Sequence, residues 1–379
     1  MNRRPFLKCI GCGAAIAAAA QTDLVPEFLG GVQNACAFDF TDKLSDVEAR
    51  HHRHLDEGGV ECELCPRHCR VTDVERGFCG VRENRSDKYH TLVYGLPCSA
   101  NIDPIEKKPL YHFHPGTTAF SLATAGCNVN CRFCQNWEIS QSRPEQTRNF
   151  ELSPQGVINI CRQRRVPSIA YTYTEPVVFY EYMYDIARLG QKHGIKSVMI
   201  TGGYIEEKPL AELMVHLDAI KIDLKSMRDD YYRDVVHGEL GPVLDRLVQI
   251  KRAGIWLELV YLVVPTMNDS DAELTDLARW IKGNLGLDTP IHFSRFHPQY
   301  LMKDLPPTPV ATLERAHSIC RAEGLQYVYL GNVAGHAAED TYCPGCGTTL
   351  IVRRGYRTRI EKLSDGRCAE CGQEIPGRF

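Results

Sequence analysis

Between residue 118 and about residue 332, short apolar runs alternate with amphipathic stretches, and this alternation constrains the fold more than any other feature. The apolar runs are Thr118–Thr124, Ser168–Thr174, Lys196–Thr201, Ala219–Leu224, Trp256–Val264, Ile291–Phe296 and Gln326–Leu330. Between them lie helical patterns at Pro154–Arg164, Val177–His193, Leu210–His216, Pro242–Arg252, Asp271–Gly283 and Thr308–Glu323. Strand and helix in strict alternation imply parallel βα units. Six units before a final strand suit an α/β partial (βα)6 barrel; a doubly wound open sheet is the other solution. In both, ligands gather at the C-terminal ends of the strands.

The first strand candidate runs into Gly126-Cys127-Asn128-Val129-Asn130-Cys131-Arg132-Phe133-Cys134-Gln135-Asn136-Trp137. Cysteine thiolates are the usual ligands of a cubane [4Fe–4S] cluster, which takes four. Three from one loop leave one iron open. A zinc knuckle or three incidental buried thiols would compete with this reading, but a buried strand ending in a glycine turn is the context a cluster loop needs. This CxxxCxxC loop with its aromatic residue resembles the radical S-adenosylmethionine (SAM) superfamily. The resemblance implies a [4Fe–4S] cluster on Cys127, Cys131 and Cys134, SAM bound at the open iron, and reductive cleavage to a 5′-deoxyadenosyl radical.

Other strand ends extend the resemblance. The second ends Tyr171-Thr172-Tyr173-Thr174-Glu175-Pro176, where the superfamily usually has Gly-Gly-Glu-Pro; Thr174 and Glu175 are the implied contacts to the SAM ammonium. The third ends Thr201-Gly202-Gly203-Tyr204, and Gly202 permits close backbone approach. The fourth ends Lys221-Ile222-Asp223-Leu224-Lys225, resembling the Asp-Leu-Lys of glycyl-radical-enzyme activases, which implies SAM contacts for Asp223 and Lys225. The fifth runs into Val264-Pro265-Thr266-Met267-Asn268-Asp269-Ser270, a loop typical of those activases. The sixth ends Ser294-Arg295-Phe296-His297-Pro298, and His297 matches a histidine that they place against SAM.

Seventeen cysteines in 379 residues are too many for chance, and eleven fall in three clusters. Clustering at metal-ligand spacing argues for metals and a reducing setting rather than a disulfide framework. Cys343-Pro344-Gly345-Cys346-Gly347 and Cys368-Ala369-Glu370-Cys371-Gly372, 21 residues apart, resemble a zinc ribbon with Zn²⁺ on four thiolates, with rubredoxin-like iron as the rival. The intervening Leu350–Tyr356 reads as strand and turn, and Arg353, Arg354, Arg357 and Arg359 read as a solvated surface. Near the N-terminus, Cys62, Cys65, Cys69 and Cys79 lie within eighteen residues and form a second metal module, either structural Zn²⁺ or an electron-relaying [4Fe–4S]. His68 is a candidate substitute ligand. Cys161 and Cys320 lie in helical patterns and read as core.

Residues 58 to 379 together resemble the radical SAM component of the AmmeMemoRadiSam system, a pyruvate formate-lyase activating-enzyme-like family. The resemblance rests on Cys62-Glu63-Leu64-Cys65-Pro66-Arg67-His68-Cys69, the segment Asp103–Phe113, the cluster loop, Tyr171–Pro176 and Gly331-Asn332-Val333-Ala334-Gly335-His336. It implies AMMECR1-like and Memo-like partner proteins and an electron donor such as flavodoxin or ferredoxin; it supplies no substrate. The segment Asp103–Phe113 carries no motif mechanism of its own, and Lys107 and Lys108 read as surface charges. A true glycyl-radical-enzyme activase and a non-catalytic iron–sulfur electron carrier are the alternatives. A carrier would need none of Glu175, Asp223, Lys225 and His297.

A net charge of −3 gives no bulk electrostatic case for nucleic acid. Asn2-Arg3-Arg4-Pro5-Phe6-Leu7-Lys8, a short Ala-rich run and Ala35-Cys36-Ala37 resemble a twin-arginine export signal. SAM and low-potential electrons are cytoplasmic supplies, so a vestigial leader or a partner-binding tail competes with export. No stretch is long and apolar enough to span a membrane. The expected organisation is a leader over 1–37, a linker over 38–57, the N-terminal cysteine module over 58–116, the barrel over 117–336 and the ribbon-like module over 337–379.

Overall fold

The structure is a computed structural model that describes residues 40–379; the twin-arginine-like segment and the Ala35-Cys36-Ala37 site lie outside them. The central sheet has eight strands: β1 (Ser99–Pro104), β2 (Thr118–Ala123), β3 (Ser168–Tyr171), β4 (Lys196–Thr201), β5 (Ala219–Asp223), β6 (Trp256–Val263), β7 (Ile291–Arg295) and β8 (Val328–Gly331). Their spatial order is β8-β7-β6-β5-β4-β3-β2-β1. Strands β2 to β8 are parallel, and β1 adds to β2 antiparallel. Every parallel strand therefore neighbours its predecessor. A doubly wound sheet would reverse direction at a switch point; this order never does. Strand ends from β3 to β8 also line one common cavity, so the sheet curves around it as a partial barrel.

Six helices connect the parallel strands: α1 (Pro154–Arg164), α2 (Tyr180–Lys192), α3 (Glu207–Met214), α4 (Leu240–Arg252), α5 (Asp271–Asn284) and α6 (Val310–Ala322). Their starts carry local signals. Ser153 caps α1 by accepting from the Gly156 amide at 3.1 Å, with Pro154 in the first turn. Ser270 caps α5 by accepting from the Glu273 amide at 3.3 Å. Side-chain oxygens at these positions satisfy amides that the helix cannot pair itself. Cys161 on α1 and Cys320 on α6 are buried core residues.

The segment after β1 closes the lower end of the barrel. Ile105, Leu110 and Phe113 pack against Ala119, Ala170, Val198 and Ala219. Alanines on β2, β3 and β5 leave room for this plug. Beneath it, the fully buried Glu258 accepts from the Tyr111 amide at 3.0 Å, the His112 amide at 2.8 Å, Trp256 Nε1 at 3.0 Å and His292 Nε2 at 2.8 Å. Burial pushes its carboxyl up, but His292 and the other donors pull it further down, below the ordinary range. His112 donates from Nδ1 to the Pro376 carbonyl at 2.6 Å and accepts at Nε2 from the Tyr329 hydroxyl at 2.6 Å.

The C-terminal module is fixed to the same end. In its hairpin Thr349–Arg354/Arg357–Ile360, Arg353 is fully buried, against the expectation of a solvated arginine surface. Its guanidinium lies 4.0 Å from the Tyr111 ring centre and donates to the Tyr111 carbonyl at 2.8 Å, the Glu339 carbonyl at 3.0 Å and Thr341 Oγ1 at 2.8 Å. Arg354 and Arg359 pair with Asp340 and Glu361 instead. On the other flank, short antiparallel strands including Val60–Cys62 and Arg82–Arg85 carry the N-terminal cysteines. Arg82 there is buried, and its Nη2 donates to both carboxylate oxygens of Glu181 on α2 at 2.6 Å.

Candidate active site

β2 delivers the chain into the cysteine loop through Gly126, whose φ of +93° lies in the region that favours glycine. A Cβ there would come within 2.6 Å of the Cys79 carbonyl. The loop is pinned on both sides. The Asn130 and Arg132 amides donate to the Val236 and Val235 carbonyls at 3.2 and 2.9 Å, and Asn128 Nδ2 donates to the Tyr204 carbonyl at 2.7 Å. Asn136 Nδ2 donates to the Tyr173 carbonyl at 2.6 Å, tying the loop to the end of β3. Cys127, Cys131 and Cys134 all line a cavity of about 760 Å³, open to solvent, above the C-terminal ends of the strands. Burial pushes the Cys131 thiol up to about 12, although the Lys225 ammonium pulls it down, and drives Cys127 well above its ordinary value. Thiols placed this way become thiolates when a metal displaces their protons. The donor set therefore fits a cluster.

The predicted strand-end residues converge on the same cavity. Thr174, Glu175, Gly202, Asp223 and Lys225 line it with the three cysteines. Thr174 Oγ1 donates to the Thr124 carbonyl at 2.9 Å, joining β3 to the start of the cysteine loop. Glu175 is buried and accepts from Thr201 Oγ1, from the Gly202 amide at 2.9 Å and from the Val177 amide at 3.2 Å. Burial outweighs these donors, and its carboxyl lies above its ordinary value. A Cβ at Gly202 would stand 3.4 Å from Glu175 Oε2. Asp223 accepts from Lys221 Nζ and from Lys225 Nζ, the latter at 3.0 Å. Burial pushes its carboxyl up, but the two ammonium groups bring it down to about 2. The wall thus holds a firmly ionised Asp223 between two cations and a Glu175 without a full positive partner.

His297 is not among the residues that line the cavity; it is exposed. β7 ends at Arg295, and the next residue turned inward is Phe296, so His297 points out. The histidine that does reach the cavity is His292, two positions before Ser294 on the same face of β7. Lys221, two positions before Asp223 on β5, was equally readable from the strand period. Lys108 is buried, not a surface charge: it donates to Asp103 Oδ2 at 2.7 Å and lies 4.4 Å from the Tyr173 ring centre. Burial lowers its ammonium to about 8. Lys107 also donates to Asp103, at 2.9 Å, and its side chain stays largely exposed. Asp103 and Tyr173 are far apart in sequence, and nothing local announces their contact.

The two four-cysteine sets differ. The ligand atoms of Cys343, Cys346, Cys368 and Cys371 lie within 4.8 Å of one another, with Cys343–Cys371 at 3.5 Å and Cys346–Cys368 at 3.7 Å. Thiolates around one tetrahedral metal at ~2.3 Å stand about 3.8 Å apart, so this set fits a single ion. Cys62, Cys65, Cys69 and Cys79 line a separate, small cavity. His68 does not line it; its Nε2 meets Glu206 Oε1 at 3.0 Å.

Residues 121–278 match the Radical SAM superfamily. An uncharacterised protein of Methanocaldococcus jannaschii is 46% identical over 330 residues, covering 86% of this chain and 98% of the relative. The pyruvate formate-lyase-activating enzyme of Clostridium pasteurianum is 25% identical over 160 residues, covering 41% of this chain and 66% of that enzyme. The benzylsuccinate synthase activating enzyme of Thauera aromatica is 23% identical over 124 residues, covering 32% and 38%. Among the described residues no helix is long and apolar enough to cross a membrane. With a cysteine loop and a strand-end cavity of this form, the chain belongs to the radical SAM superfamily, in one family with the Methanocaldococcus jannaschii protein.

Proposed function

We propose that the cavity above the strand ends is the active site of an enzyme that generates a radical from SAM and removes hydrogen from a substrate, with a partner protein as the substrate class. The observation that carries this reading is the convergence of three cysteines, Glu175, Asp223 and Lys225 on one cavity. When bound, a [4Fe–4S] cluster with SAM at its open iron supplies reductive cleavage to a 5′-deoxyadenosyl radical. Cys127, Cys131 and Cys134 would hold the cluster. Glu175, short of positive charge, would accept the SAM ammonium, with Thr174 beside it and Gly202 leaving space for the ligand. Asp223 and Lys225 would meet the polar groups of the rest of SAM. His292 and Lys108 stand on the deeper walls, where a substrate would be positioned.

Membership of the AmmeMemoRadiSam system, with AMMECR1-like and Memo-like partners and a flavodoxin or ferredoxin donor, is supported by the motifs shared from residue 58 onward. A glycyl-radical-enzyme activase is the second reading, favoured by the similarity to the Clostridium pasteurianum enzyme. One experiment separates them. The reconstituted protein is incubated anaerobically with SAM and each deuterated candidate partner. Deuterium in 5′-deoxyadenosine with an AMMECR1-like or Memo-like protein supports the first reading, and with a glycyl-radical enzyme the second. No transfer to either defeats both. Cys343, Cys346, Cys368 and Cys371 would hold structural Zn²⁺; a Cys346→Ser/Cys371→Ser protein should contain one zinc fewer, and loss of iron instead would name a rubredoxin-like site.

A further inference from the structure

The N-terminal cysteines come from separate turns: Cys62 ends the strand Val60–Cys62, Cys65 follows in the next turn, Cys69 precedes Arg70–Val71, and Cys79 precedes Arg82–Arg85. All four line one small cavity. A single ion would draw its thiolates to about 3.8 Å from each other. Among the described residues only the C-terminal set closes to within 4.8 Å.

Arg82 Nε, on the same cavity, has no hydrogen bond although the residue is only 1% exposed, while the equally buried Tyr89 hydroxyl meets the Cys62 thiol. A buried donor is costly to leave unpaired, so Arg82 Nε at this cavity points to an occupant with acceptor atoms. The Phe78 amide already donates to Cys69 Sγ at 3.4 Å. A cubane cluster spaces four thiolates wider than one ion does and supplies sulfides that accept from Arg82.

The two cysteine systems meet through their backbones. The Cys79 carbonyl lies against Gly126, the residue before Cys127. Asn128, the residue after Cys127, lines the N-terminal cavity itself. Arg67, on the same cavity, donates to the Asn128 carbonyl and clamps the two segments together.

We infer that Cys62, Cys65, Cys69 and Cys79 ligate a second [4Fe–4S] cluster, and that it relays single electrons to the cluster at Cys127, Cys131 and Cys134. Four protein thiolates leave it no open iron, so it does not take SAM. A low-potential one-electron donor protein reduces it from the 2+ to the 1+ state. It returns to 2+ as the neighbouring cluster goes from 2+ to 1+, and no proton or bond is exchanged. The relay, unlike the ligation, rests on the function proposed above.

The test uses the full chain, reconstituted anaerobically, with Cys127, Cys131 and Cys134 all replaced by alanine. About four iron and four sulfide per chain should remain, with a reduced-state electron paramagnetic resonance signal that SAM does not alter. Loss of all iron with a second zinc in its place overturns the assignment. If that protein does not fold, the unmodified chain decides: about eight iron per chain supports a second cluster and about four excludes it. For the relay, a Cys62→Ala/Cys65→Ala protein should accept electrons from reduced flavodoxin at least tenfold more slowly, yet still cleave SAM with dithionite. Equal rates overturn the relay. A surviving cluster in the triple variant, together with an unmodified chain that never cleaves SAM, keeps this site and defeats the proposed function.

Discussion

The two ends of the barrel each bury a glutamate, and the two are held in opposite ways. Glu258 at the closed end meets four donors, including an imidazole, and its carboxyl is held below the ordinary range. Glu175 at the open end meets a hydroxyl and two amides, and its carboxyl is raised. Burial alone raises a carboxyl, and only enough partners reverse the sign. The Glu258 carboxylate is thus satisfied within the chain, and Arg353, His112 and Tyr329 extend its surroundings with bonds to backbone carbonyls and hydroxyls. The open end keeps an unmet preference for a cation. The contrast separates a carboxylate that builds the fold from one that, in the function proposed above, takes the SAM ammonium.

The largest expected effect falls on the closed end. Glu258→Ala strands His292, the Trp256 indole and two amides in the core, and removing one member of a buried charged set costs about 3–5 kcal/mol. Its melting temperature should drop sharply. A variant that melts with the parent would mean that the network contributes nothing to the fold. Glu175→Ala should cost the fold less, since it strands a hydroxyl and two amides but no imidazole or indole, and should weaken SAM binding. Losing one partner of a charged contact costs about 2–5 kcal/mol, so titration calorimetry should show at least roughly tenfold weaker binding, with the cluster's absorbance intact. Unchanged affinity would place SAM elsewhere and favour an electron carrier.

A smaller effect of opposite sign is expected with pH. Glu258 has a depressed folded-state value, so its stabilisation is present above about pH 4.3, the unfolded-state value, and is lost as pH falls through the folded one. Glu175 has a raised folded-state value, so its ionisation costs stability as pH rises from about 4.3 through that value. At pH 7.5 without SAM, Glu258→Gln should lower the melting temperature and Glu175→Gln should hold or raise it. Shifts of the same sign in both variants would erase the distinction between the two ends.

The parallel strands and their helices were legible in the sequence because each strand is an apolar run with a clear stop, as at Thr201-Gly202 and Asp223-Leu224. The cavity residues followed from the rule that ligands gather at strand C-termini, which found Glu175, Asp223 and Lys225. β1 was not legible: Ser99-Ala100-Asn101-Ile102-Asp103-Pro104 has no apolar run, and as an edge strand it stays partly exposed. The role of Asp103–Phe113 as a plug was hidden for a related reason. Its charges pair within the fold, Lys108 with Asp103 and Glu106 with the Gly116 amide, so a charged string became a buried wall. His297 shows the limit of matching by neighbourhood: strand phase, not proximity to a strand end, decides which histidine faces the cavity.

The central claim is that Cys127, Cys131 and Cys134 make the open end of this barrel a site of SAM chemistry. The most direct measurement is 5′-deoxyadenosine release from SAM by anaerobically reconstituted protein with dithionite, for the parent chain and for Cys131→Ala. The parent should release it, and the variant should fall to background because three-thiolate ligation is broken. Equal release by both, or none by a parent chain with a full complement of iron, would contradict the account.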